Sequence, residues 1–146
     1  MKKISTYLIL TLAATVLAGT ANAQYNSNYC GNHTTVGTYV VSCAGFVTPA
    51  PNSPALPMTV LAVVVGDSSG VFKGTGTNSV AGTVYSDSIS GQANTQPDCT
   101  GTITYNKGKA DEINITFVIA ANGDRIHGMI IDKGANVGCT LTRIRP

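Results

Sequence analysis

Large apolar residues occupy every second position over residues 112–121, as Ile113, Ile115, Phe117 and Ile119. A period of two marks a strand with one buried face. Asn122-Gly123 follows, the dipeptide most favoured in tight hairpins. A second run, residues 125–132, then carries Ile126, Gly128 and Ile130 on one phase. Similar short runs fill the rest of the chain. Strands are expected over residues 36–47, 58–65, 71–79, 83–96, 99–106, 112–121, 125–132 and 137–145. Residues 66–70, Ala81-Gly82, Pro97-Asp98, 107–111 and 133–136 supply turns. Residues 48–57 hold Pro49, Pro51, Pro54 and Pro57, which make them an open loop. The run 58–65 is apolar on both faces, which predicts cover on both sides or a tight interior. The long fourth run is expected to break or bulge near Gly91.

No run after residue 23 has helical periodicity. The fold class is therefore all-β: about eight antiparallel strands joined by short connections, closing into an up-and-down barrel that leaves no exposed edge. A sandwich with crossing connections would want longer loops.

Residues 1–23 have the form of a bacterial export signal. Lys2-Lys3 start it, a mostly apolar stretch follows, and Ala21-Asn22-Ala23 is a small-x-small cleavage site. The mature chain is expected to begin at Gln24 in the periplasm or outside the cell. Residues 24–35 are read as a loose leader and 36–146 as the barrel domain. No later apolar run is long enough to cross a bilayer as a helix, so no membrane insertion is expected after signal removal. Lys2 and Lys3 account for the whole formal charge of +2. Residues 24–146 are thus balanced, and a nucleic-acid partner, which selects for basic surfaces, is not expected. Four cysteines, all beyond the signal, predict two disulfides in an oxidising compartment.

Residues 66–70 match Gly-x-Ser-x-Gly, but a nucleophile elbow needs a helix after it. Val71-Phe72-Lys73 continue extended, so the segment reads as a hairpin turn and no catalytic set is assigned. His33 and His127 are the only histidines. They lack further ligands at metal-binding spacing, so neither metal nor cofactor is expected. His127 lies one position off the apolar phase of its strand and should face outward. Asp67, Asp98, Asp124 and Asp132 sit at turns, where aspartate caps backbone amides.

Gly37-Thr38-Tyr39 on the first strand and Arg143 near the end of the last resemble the calycin pattern of lipocalins and avidins. There a Gly-x-Trp packs against an arginine of the closing strand; here Tyr39 takes the tryptophan's place. The order of Gly37-Thr38-Tyr39, the proline loop, residues 67–70, residues 97–102 and Asn122-Gly123-Asp124 resembles secreted bacterial barrels of calycin-like or allene oxide cyclase-like type. The resemblance implies a barrel and no agreed activity.

Tyr39, Tyr85, Tyr105, Phe117 and Arg143 share the odd phase of their strands with Ile113 and Ile115, and they are the candidate ligand-contacting residues. An eight-stranded interior is just wide enough for side chains or one small ligand. A filled core is the packing expectation, with Arg143 resting on the face of Tyr39. A pocket for a small apolar molecule is the functional alternative. The leading function is a secreted, non-enzymatic barrel that binds such a ligand or a protein partner. A barrel-interior enzyme, such as an isomerase of allene oxide cyclase type, is one competitor. An inhibitor or surface-interaction protein acting through the proline loop is another. Oligomeric state is not readable from these residues.

The meander also orders the cysteines. Cys30 and Cys99 fall at the end where the first strand begins. Cys43 and Cys139 fall toward the other end, on the two strands that closure makes neighbours. The expected pairs are Cys30–Cys99 and Cys43–Cys139. Peptide mapping without reduction should recover these two pairs. A Cys43–Cys99 peptide would overturn both the pairing and the strand order behind it.

Overall fold

The alternation of the chain resolves into eight strands: β1 (Gly37–Val47), β2 (Leu56–Gly66), β3 (Val71–Val80), β4 (Thr83–Thr95), β5 (Thr100–Tyr105), β6 (Ile113–Ala120), β7 (Arg125–Ile130) and β8 (Ala135–Ile144). The computed structural model describes residues 30–144. The expected export signal, the Gln24 start and Arg145 lie outside the described residues. Each strand pairs antiparallel with the next, and β8 pairs with β1 to close the barrel. The fold is therefore an eight-stranded up-and-down barrel, compatible with a calycin-like architecture. Helical structure among the described residues is confined to two 3₁₀ turns, Asn32–Thr35 and Ala121–Gly123.

One phase of every strand points inward. Tyr39, Val41 and Cys43 of β1 do so, as do Ile103 and Tyr105 of β5 and Ile115, Phe117 and Ile119 of β6. On the outer phase of β6, Thr116 and Val118 are exposed. Large rings fit because the residue opposite is glycine. Tyr105 faces Gly91 across the β4–β5 pair, Phe117 faces Gly101 across β5–β6, and Phe72 faces Gly66 across β2–β3. A Cβ added at Gly91 or at Gly101 would lie 2.5 Å from the facing ring, and at Gly66 2.9 Å. Side chains there would displace the rings outright.

The β4 strand runs through Gly91 without a break, contrary to the expected bulge. Gly91 keeps full register, pairing Phe72 on one side and Tyr105 on the other. Only residues 91–95 of β4 pair with β5, whereas residues 83–92 pair with β3. The β3–β4 hairpin thus extends past β5. The doubly apolar β2 is not covered on both sides. Leu61, Val63 and Val65 are exposed on the outer wall. The β6–β7 connection reverses at Asn122-Gly123 but spans four residues rather than two, because Ala120 pairs with Arg125. Residues 66–70 form a hairpin turn. Asp67 Oδ1 there accepts from the Ser69 amide (2.9 Å) and the Val71 amide (3.0 Å). The Ser69 hydroxyl and these amides hold the Asp67 carboxyl below the usual carboxylate range.

The disulfides are Cys30–Cys99 and Cys43–Cys139. Cys43 and Cys139 stand directly opposite each other in the β1–β8 register, so the bond staples the seam that closes the barrel. Two disulfides suit an oxidising environment.

Phe117 is 4% exposed and packs against two inward glycines, Gly101 and Gly128. Phe117→Ala should cost about 3–5 kcal/mol, read by reversible denaturant unfolding. A loss below about 1 kcal/mol would place the ring outside the core.

Candidate functional site

The two ends of the barrel differ. The end where β1 begins, the floor, is plugged. Residues 30–35 belong to the segment expected to be loose, yet Cys30 is tied to Cys99 and the Asn32–Thr35 turn folds under the barrel. Thr34 and Thr35 are buried there. Asn32 fastens the turn: its Nδ2 donates to the Ser69 carbonyl (3.0 Å), and its Oδ1 accepts from the Thr95 amide (3.0 Å). Above the turn, the Tyr39 hydroxyl donates to the Gly123 carbonyl (3.0 Å) and accepts from Arg143 Nη2 (2.9 Å) and Nε (3.2 Å). Arg143 Nη2 also donates to the Thr34 carbonyl (2.8 Å). The guanidinium lies 5.4 Å from the centre of the Tyr39 ring and 3.7 Å from Asp124. Burial raises the Tyr39 phenol above its ordinary value, and the Arg143 hydrogen bond and charge oppose the shift. These hydrogen bonds and the ion pair tie the cluster together and close the floor.

The opposite half is not filled. A cavity of about 140 Å³ lies inside the barrel between β1–β5 and β6–β7. Its walls are apolar: Val41, Val60, Ala62 and Val64 on one side, Ile89, Ile113, Ile115 and Ile130 on the other. Tyr105 contributes its ring. Toward the mouth the lining becomes polar, with Asn78, Asp87, Ser88, Asn106 and Asp111. Asp87, Ser88 and Asp111 are exposed, so the cavity reaches solvent there. The volume arises because the inward side chains at this level are mostly valine, alanine and isoleucine. Three of the four rings buried among the described residues, Tyr39, Phe72 and Phe117, do not line it.

The five candidate ligand-contacting residues therefore separate. Tyr105 alone lines the cavity. Tyr39 and Arg143 form the floor, and Phe117 is core. Tyr85 is 53% exposed, although it is on the inward phase, because the β3–β4 hairpin carries it beyond β5. The polar lining was not singled out from the sequence. Asn78 carried a signal, being a polar residue on the inward phase of β3. Asp87 carried the same signal on the inward phase of β4, whereas Asn106 and Asp111 carried none, since they lie beyond the strand ends. His127 faces outward, as its phase predicts, and among the described residues no three metal-ligating side chains gather at one place.

Comparison with known protein families, with curated proteins and with solved structures finds no match to this chain.

Burial pushes the Tyr105 phenol from an ordinary 10.0 up to about 12. The folded value lies above the unfolded one. The neutral phenol's contribution is therefore complete below pH of about 10 and is lost as pH rises through about 12. Chemical unfolding across this range should show a loss of about 2–3 kcal/mol from this group, and Tyr39 adds in the same direction. Tyr105→Phe should flatten the alkaline slope, and an unchanged slope would show the phenol to be hydrated.

Proposed function

We propose that the protein is a secreted, non-enzymatic barrel that holds one small, largely apolar molecule in the upper half of its interior. One observation carries this reading: the cavity of about 140 Å³ with apolar walls above a closed floor. Cavities of similar size lined by leucine, isoleucine and phenylalanine accept a single benzene-sized guest. A closed floor and a solvent-reaching mouth suit capture from one side only.

The isomerase alternative would place a proton-transfer group in the cavity. Tyr105 is the one phenol there, and with a pKa of about 12 it stays protonated at neutral pH, a poor general base, while the two lining carboxylates, Asp87 and Asp111, are exposed at the mouth beyond the apolar walls. The reading therefore rests on binding. Secretion is supported by the signal-like residues 1–23 and by the disulfides.

Native mass spectrometry of the protein purified from its own host should reveal a small molecule travelling with it. Ala62→Leu, which fills the cavity wall, should abolish that added mass while circular dichroism stays that of the wild-type barrel. Retention of the guest by a folded Ala62→Leu protein would overturn the assignment to this cavity.

A further inference from the structure

Barrel closure removes an edge only where both neighbours of a strand reach the same height. Strand β4 outruns one of its neighbours. Residues 83–92 pair with β3, but only residues 91–95 pair with β5. Above that junction the Asn106 amide donates to the Ser90 carbonyl (2.8 Å). Beyond it, no backbone bond joins residues 83–89 to any described segment other than β3. The next longest gap of this kind among the described residues is 135–137 of β8, beside which β7 has ended. Parity fixes which groups are left open. In an antiparallel strand the N–H and C=O of one residue point the same way, and those of the next point the other way. Ser90 and Gln96 bond toward β5, whereas Ala93 bonds away from it, to Gly70. Even-numbered residues of β4 thus turn their backbone to the β5 side, and Val84, Ser86 and Ser88 turn theirs to an open edge. Residues 83–88 are all exposed. Large side chains flank the edge on both faces, Val84 (63% exposed) outside and Tyr85 (53%) inside. Of the devices that blunt such an edge, residues 83–90 carry no lysine, no proline and no bulge, only the carboxylate of Asp87.

We propose that this edge pairs with the same edge of a second copy, β4 against β4, antiparallel about a twofold axis at Ser86. The open stretch is its own complement. Residues 83–89 are centred on Ser86, whose backbone faces the edge. The twofold sets Ser86 opposite the partner's Ser86 and Val84 opposite the partner's Ser88, so that edge-facing groups meet edge-facing groups. Pairing ends with Thr83 opposite the partner's Ile89, at the point where Asn106 takes the next carbonyl. On the inward face Tyr85 stands opposite the partner's Asp87, a phenol donor beside a carboxylate. The two Asp87 carboxylates fall on the diagonal, about 7–8 Å apart, in solvent that screens them. A foreign extended segment would satisfy one such edge. A second copy brings an edge of equal length and satisfies two at once, so association closes at the dimer.

The test is sedimentation velocity of the disulfide-intact protein over a dilution series, in which monomer should pass to dimer as the concentration rises toward millimolar. Ser86→Pro removes an amide that faces the open edge and leaves the ladder to β3 intact. It should keep the circular dichroism of the barrel and weaken dimerisation by at least about tenfold. Ser86→Cys should link two copies through a disulfide on mild oxidation, since directly opposed, hydrogen-bonded residues stand about 5.5 Å apart. Ser42→Cys, exposed on the outer wall of β1, should not. Should the proline variant fail to fold, the two cysteine variants decide alone. A protein that stays monomeric across the series would overturn the proposal. So would a dimer that folded Ser86→Pro leaves as tight as before, one that Ser86→Cys fails to link, or one that Ser42→Cys links as readily, since each places the contact elsewhere.

Discussion

A sheet closed from eight strands has an interior hardly wider than the side chains that enter it. Each inward position is therefore constrained by the one opposite. The chain meets this constraint by pairing bulk with absence: Tyr105 over Gly91, Phe117 over Gly101, Phe72 over Gly66. The glycines weaken their strands, since each exposes backbone and adds no packing of its own. The ring laid over each one restores the contact and shields the backbone. Where no ring is placed, between Ala62, Val64 and Ile115, volume is left over. The cavity is thus the remainder of the same matching that fills the lower half.

The floor follows from closure in a different way. Tyr39 on β1 and Arg143 on β8 are register partners across the seam. Their side chains leave the seam together and are capped by Thr34 and Gly123, which come from segments remote in sequence. A partly buried guanidinium tolerates lowered dielectric only when its donors are met. Here a phenol, a carbonyl and a nearby carboxylate meet them. The seam disulfide sits further up the same two strands. Closure is thus secured at two heights, by a covalent bond above and a hydrogen-bonded cation below.

Much of this was legible from residue order. Strand count, strand sequence and the pairing of the cysteines follow from alternation and short turns, because a meander leaves few topologies open. What alternation reports is the side of the sheet a residue faces. It does not report height along the barrel. Tyr85 shows the difference: its phase is inward, but the wall beside it has ended, and the ring stands 53% exposed. Asn106 shows the converse, since it follows β5 in a left-handed conformation (φ 52°) that strand periodicity cannot foresee. Residues 30–35 read as loose because they are polar, yet the Asn32 side chain bonds the barrel's own backbone and the Thr34 carbonyl takes the Arg143 guanidinium. The cavity was illegible for a further reason: it depends on volumes summed across several strands, none of which is unusual by itself.

The two disulfides interleave in sequence, in the order 30, 43, 99, 139. A single cleavage of the backbone anywhere between Cys30 and Cys139 therefore leaves its two fragments covalently joined. A cut between Cys43 and Cys99, which includes the proline loop, is spanned by both bonds. A cut in the 106–112 loop is spanned by the seam bond alone. Neither fragment can drift away from the other, and the fragments of a once-nicked barrel can re-form their strand pairs without a search. Surface loops, the segments a protease reaches first, are thus the places where this chain can be severed without being lost.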